Sequence, residues 1–305
     1  MNNNVREIIL KNNKKQKKSL DNVMPVIFFT AALISIITTI GIVLTLVFDA
    51  LKFFRAVPFA DIFSTQLAPL AANPRFGILP LINGTILTSL IAMMVAIPVG
   101  LTSAIYLSEF ATEKIRKRLK PIMELLAGIP TIVYGFFAYS FVTPLLMAVI
   151  PGLEAKNALS PGIVMGIMII PLVTSLSEDA MNSVPNALRE GAYALGSTRL
   201  EVAVKVVIPA AISGIIASFV LAISRAIGET MIVTIASGSS KNFTFDITKS
   251  IQTMTAYIVE FTSGDAGSGT VGYYSLYAVG LILFVFTLLM NLLAQYISRK
   301  YREEY

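Results

Sequence analysis

Three features of the sequence predict an all-α integral membrane protein with six spanning helices. Apolar residues make up 55% of the 305-residue chain and charged residues only 14%, against about a quarter charged in an ordinary soluble domain. The charges are gathered into short blocks, leaving charge-poor stretches of the ~20 residues that a bilayer-crossing helix needs. Glycine and proline recur inside those stretches, which membrane helices tolerate because neighbours or local adjustments satisfy the freed backbone groups.

The chain begins "MNNNVREIILKNNKKQKKSLDN", polar and basic, ahead of an apolar run with no small-residue cleavage site near its end. Residues 1 to 23 therefore read as a cytoplasmic tail and not as a cleaved signal. Six apolar segments follow: Met24 to Phe48, Ile82 to Leu107, Leu125 to Ile150, Gly162 to Leu176, Val206 to Ala236 and Tyr273 to Ile297. Lipid offers the backbone no hydrogen-bonding partner, so each is expected as a helix. The fourth, about 15 residues, is short and the fifth, about 31, is long, so tilt or extension is expected to absorb the difference. "AGIPTIVYG" at 127 to 135 and "IIPLV" at 169 to 173 read as kinks or close packing points. On the fifth segment Gly214, Ser218, Ala222, Ala226 and Thr230 recur every four residues, a stripe along which a neighbouring helix approaches closely.

No long repeat is present, so residues 24 to 297 read as one transmembrane domain, with a loop at 177 to 205 and a C-terminal end at 298 to 305. The tail, the 108 to 121 loop, the 177 to 205 loop and the C-terminal end hold seventeen of the twenty-four lysines and arginines; the alternate loops hold six, and Arg225 is the last. That bias places both termini in the cytoplasm. Lys114, Arg116, Lys117, Arg118 and Lys120 are most simply topology determinants with lipid-phosphate contacts. Glu124 reads as an interfacial residue at the start of the third segment.

The same counts exclude much chemistry. Cysteine, histidine and tryptophan are absent, which removes disulfides, thiol nucleophiles, most transition-metal sites and imidazole acid–base catalysis. The +6 net charge follows the membrane pattern, so no nucleic-acid partner is expected. No phosphate-cradling "GxxxxGK[ST]" loop occurs, so ATP binding by such a loop is not expected and neither is any other cofactor.

Between the fourth and fifth segments lies "REGAYALGSTRLEVAVKVVIP", residues 189 to 209. Ala192, Leu195 and Gly196 fall on one face of a short helix, and Leu200, Val204 and Val207 line a second. A short helix, a glycine break and a further helix fit this spacing, an element able to dock in a cleft of a soluble partner. Glu190, Gly191, Ala192, Gly196 and Pro209, with Val206 and Ile208, resemble the "EAA" motif of permease subunits of ABC importers. Gly191 stands where that motif usually has alanine.

The resemblance extends over most of the chain past residue 75, through "FGILPLINGTILTSL", "AIPVGLTSAIYLSEF", "ELLAGIPTIVYGF", "SRAIGETMIV" and "TMTAYIVEFTSGD". These stretches resemble the phosphate-specific branch of the binding-protein-dependent ABC importer permeases. "GETMIV" is closer to one of the branch's two paralogous subunits than to the other. The resemblance implies a type I (MetI-like) permease fold in a bacterial cell membrane, and a half-channel paired with a sister permease subunit. It also implies two ATP-binding subunits and an extracytoplasmic phosphate-binding protein, with Glu190, Gly191, Ala192, Gly196 and Pro209 coupling to the ATPase. The chain itself is then expected to be a transport subunit and not an enzyme.

Arg225 and Glu229 are four apart, so on one continuous helix their side chains share a face and reach each other. Sixteen residues from Pro209 to Arg225 rise roughly 24 Å, placing the arginine near mid-bilayer. A charge there costs at least ~2.5 kcal/mol, an expense more in keeping with a transport role than with anchoring. Arg225 is expected to offer its forked guanidinium to phosphate, with Glu229 holding it between passages, and the resemblance implies a requirement for both. Sulfate or molybdate as the oxyanion, or a phosphate-signalling scaffold, are the alternatives.

Overall fold

The computed structural model describes residues 3 to 300 apart from 266 and 268. The first helix, α1, is continuous from Asn3 to Ala56, so the expected tail continues into the first span without a break. The first two residues, and residues 301 to 305 of the expected C-terminal end, lie outside the described residues. One helical turn, α2 (Phe59–Ile62), and a two-residue antiparallel ribbon, β1 (Leu67–Ala68) with β2 (Arg75–Phe76), lead into α3 (Leu79–Ile105). That ribbon is the one departure from an all-helical chain among the described residues.

Helix α3 continues through a wide π turn at Tyr106–Phe110; α4 (Glu113–Ala127) and α5 (Thr131–Phe137) follow, and a second wide turn leads into α6 (Thr143–Met147). Then come α7 (Leu159–Asn182), the short α8 (Asn186–Ala194) and α9 (Arg199–Val202), which runs on to α10 (Ile208–Ala210). The remainder is α11 (Ile212–Ile227), α12 (Met231–Ala236), α13 (Met254–Glu260) and α14 (Val271–Lys300).

Four stretches are long and apolar enough to cross a bilayer by themselves: Val23–Ala56, Leu79–Phe110, Leu159–Asn182 and Val271–Ile297. Two further spans are bent pairs, α4 with α5 and α6 at 85°, and α9 and α10 with α11 at 72°. With each bent pair counted as one span the total is the expected six, but two differ in kind. The third is broken at Gly128 to Pro130, because proline disfavours helix in the residue before it and lacks the amide to continue the ladder. The fifth bends at Ala211 and ends at Ile227, so its expected 31-residue helix does not exist. The fourth is not short: it spans 24 residues, because Glu178 and Asp179 continue the helix beyond the apolar run.

The bundle is built on α3 against α7. A Cβ on Gly166 would stand 2.7 Å from the Val95 Cβ and 2.8 Å from the Ala92 carbonyl, so only glycine permits that approach. Val164, Met165, Met168 and Ile169 of α7 pack there with Ala92 and Ala96 of α3, and with Ala222 and Ala226 of α11. The small-residue stripe works as expected over α11: Ser218, Ala222 and Ala226 are buried, and a Cβ on Gly214 would meet the Ala180 Cβ at 2.5 Å. The Ser177 and Ser218 hydroxyls, 2.8 Å apart, close the polar side of that contact. Helix α1 joins the rest only near its C-terminal end, through Ala50 and Phe53. Its apolar residues from Val23 to Ile42 are exposed, a surface for lipid or for another subunit.

Candidate substrate site and coupling segment

The two broken spans meet at a cavity. Helix α4 runs beside the lower half of α7: Arg116 and Lys120 reach Glu178 near one end, and Met123 and Ala127 face Pro171 and Met168 further along. Between α4, α7 and α11 lies a space of about 640 Å³. Its walls are largely apolar, and its polar groups are Glu124, Ser175, Ser224 and Arg225. Ser224 donates to Asn291 Oδ1 at 2.9 Å, which ties this wall to α14.

Arg225 occupies the last turn of α11, where a cation is favoured by the carbonyl end of the helix. Counted from the bend, thirteen residues after Ile212, it stands about 20 Å along the helix. It is exposed on the chain and forms no ion pair among the described residues.

Glu229 is not its partner. Gly228 closes α11, and Glu229 lies in the break beyond it, only 8% exposed. Its carboxylate accepts the Met231 amide at 3.0 Å and the Ile232 amide at 3.3 Å, so it caps α12, whose first amides have no intrahelical acceptor. The Thr255 hydroxyl donates to its carbonyl at 2.7 Å. The expected Arg225–Glu229 pair fails because four-residue spacing brings side chains together only on an unbroken helix. The carboxylate that does share the Arg225 cavity is Glu124, read from the sequence as merely interfacial. The proline at 130 marked a kink, but nothing local to Glu124 marked that α4, folded back by 85°, would bring this exposed side chain to the space that Arg225 lines.

The segment from 189 to 209 matches its expected helix–glycine–helix form more closely. Glu190, Gly191 and Ala192 lie on α8, Gly196 breaks it at φ +87°, and Pro209 lies on α10. Only glycine adopts that φ without strain. Thr198 opens the next helix with a capping box: its hydroxyl accepts the Glu201 amide, and the Glu201 carboxylate accepts the Thr198 amide at 3.0 Å.

One expected face is split. Leu200 and Val204 are exposed, but Val207 is buried, because the wide turn at Ala203–Val207 rotates the later residue inward. Leu195 is 89% exposed and Glu190 is open to solvent, so this end of the chain presents an uncovered apolar and acidic surface. A Cβ at Gly191 would meet nothing within 4 Å. Gly191→Ala should therefore stabilise α8 by about 0.5–1 kcal/mol, read as slower amide hydrogen exchange across α8.

Sequence reasoning missed the ion pairs beneath this segment. Arg189 lies 3.0 Å from Glu109, 80 residues away. Arg116 and Lys120, read as topology determinants, lie 3.4 and 3.6 Å from the buried Glu178. Runs of basic residues carry no mark of which one turns inward.

The family described as "Binding-protein-dependent transport system inner membrane component" matches residues 96–303. The chain belongs to that family. This permease is thus a multi-pass membrane transport subunit, which works with a second permease, ATP-binding subunits that hydrolyse the ATP, and a substrate-binding protein. It is 33% identical to a probable ABC transporter permease of Bacillus subtilis over 94% of each chain. To a phosphate transport system permease protein PstC of Mesorhizobium japonicum it is 34% identical, over 87% of this chain and 86% of the relative. Among solved structures it resembles a chain of a bacterial alginate ABC transporter, with a TM-score of 0.64 at 18% identity over 91% of this chain and 95% of that one. It also resembles one of the MetNI methionine ABC transporter, with a TM-score of 0.56 at 15% identity over 74% and 95%. Those likenesses establish the MetI-type permease fold. The cavity, the coupling segment and the ion pairs all lie inside the matched region.

Proposed function

We propose that this permease forms half of the translocation pathway of an ATP-driven phosphate importer in a bacterial cell membrane, with both termini cytoplasmic. The carrying observation is the Arg225 guanidinium, without an ionic partner among the described residues, on the wall of a cavity at two broken spans. Broken helices at membrane depth are tolerated where they line a cavity, and an ionisable group there defaults to a role in the pathway. Relatives at 32–34% identity, a phosphate permease of Mesorhizobium japonicum and a probable one of Methanocaldococcus jannaschii, support phosphate as the ion.

Arg225 meets the anion with two parallel N–H donors, the geometry that suits phosphate oxygens. Glu124, across the same cavity, repels the anion and so limits its residence, as a transport site requires release as well as capture. Glu229 contributes by shape: by capping α12 it holds open the break beside which Arg225 stands. The sister subunit, PstA-like in this reading, closes the pathway opposite Arg225, and two PstB-like ATP-binding subunits and a PstS-like phosphate-binding protein complete the importer. Glu190, Gly191, Ala192, Gly196 and Pro209 form the segment on which the ATP-binding subunit docks.

The test is uptake by the importer reconstituted in vesicles with its binding protein and ATP. Labelled phosphate should accumulate, undiminished by excess sulfate or molybdate. Accumulation of either of those ions with none of phosphate would overturn the assignment.

A further inference from the structure

Helix α8 is weakly anchored by apolar packing, since none of its nine residues is buried. What ties it to the bundle is Arg189. That side chain, 13% exposed, lies 3.0 Å from Glu109, which is 4% exposed and sits in the wide turn ending α3. The same guanidinium donates to the Met181 carbonyl at 2.7 Å and the Val184 carbonyl at 2.6 Å, at the end of α7 and just beyond it. One group thus binds the ends of α3 and α7 to α8.

A second guanidinium continues the link. Arg116 of α4 donates to the Leu107 carbonyl at 2.6 Å and to the Ser108 carbonyl at 3.1 Å, and stands 3.4 Å from Glu178 of α7. The Ser108 hydroxyl is 2.9 Å from Glu109 and 3.1 Å from Asn182. Helix α4 is the one whose other end presents Glu124 to the cavity.

A buried ion pair is seldom more stabilising than well-packed apolar residues of the same volume. What it does supply here is direction and stiffness: several short charge-assisted bonds converge on a helix whose apolar packing on the core is limited to the partly buried Ala192. We propose that Arg189 is a positioning residue for energy coupling, and that through Glu109 and the Met181 and Val184 carbonyls it makes α8 move as one body with the ends of α3 and α7. Arg116 and Glu178 then carry that displacement to α4. A push on the exposed face of α8 by the ATP-binding subunit therefore reaches the wall of the cavity without α8 swinging free. This rests on membership of the permease family and is independent of which anion passes.

The experiment uses the whole importer, with partner subunits, in vesicles, and reads ATP hydrolysis with and without the binding protein as isolated. Glu109→Gln removes the charge at constant size, Arg189→Gln removes the fork, and Arg189→Lys keeps the charge without the fork. Expected is an assembled complex in which stimulation of hydrolysis by the binding protein falls about fivefold or more in the two glutamine variants, the lower end of usual coupling between sites. Arg189→Lys should lie between them and the native chain. If Arg189→Gln does not assemble, Glu109→Gln alone decides. Native stimulation in an assembled glutamine variant overturns the proposal, and so does failure of both to assemble, since the pair would then serve subunit integrity only. Because the readout is hydrolysis, native complexes that move no phosphate would sink the phosphate assignment and leave this test intact.

Discussion

Arg225→Gln abolishes most phosphate uptake while leaving the importer assembled. Glutamine keeps much of the length and polarity of the side chain but removes the permanent charge and the fork. A hydrogen bond to a charged group contributes about 1.5–3 kcal/mol, so losing it where the anion passes corresponds to about a ten- to hundredfold fall in uptake. The fold should not suffer, because Arg225 is exposed and has no ionic partner among the described residues. Removing a costly charge from membrane depth should leave thermal stability unchanged or slightly higher. Arg225→Lys should be intermediate, since it restores charge without paired donors. Uptake by assembled Arg225→Gln importers at the native rate would end the counter-ion role.

Glu190→Lys is the second large effect, and it separates coupling from folding in the same way. Glu190 is exposed on α8 and makes no ion pair among the described residues, so reversal of its charge should change this chain's stability by no more than ~0.5 kcal/mol. At a docking surface the outcome differs, because a like-charge contact across an interface costs several kcal/mol. The expected result is ATP hydrolysis that no longer drives uptake, with transported phosphate per ATP falling at least about tenfold by that cost. Unchanged stoichiometry in reconstituted vesicles would show that α8 does not meet its partner through Glu190.

Much of this architecture is legible in one dimension. Six spans follow from apolar run length, since lipid leaves every spanning segment the same helical solution. The turn at Gly196 follows from a residue type that alone tolerates its backbone angle, and the stripe from Gly214 to Ala226 from helical period. The failure of the expected Arg225–Glu229 pair was not legible, because it required knowing that α11 stops before Gly228. A glycine in an apolar run reads equally as a packing point, and only Glu229 turning to cap α12 distinguishes the two.

Beyond its motif resemblance to a permease family, the sequence by itself determined six apolar spans, a polar segment between the fourth and fifth, and a lone deep arginine. These are properties of hydropathy, period and charge within single segments. Only the tertiary structure decided that Glu124 lines the same space as the arginine, that Glu229 is a cap, and that Arg189 is bound to Glu109 across 80 residues. Each of those depends on a bend or a crossing that brings remote segments together, and the free energy selecting it resides in contacts that no local pattern records.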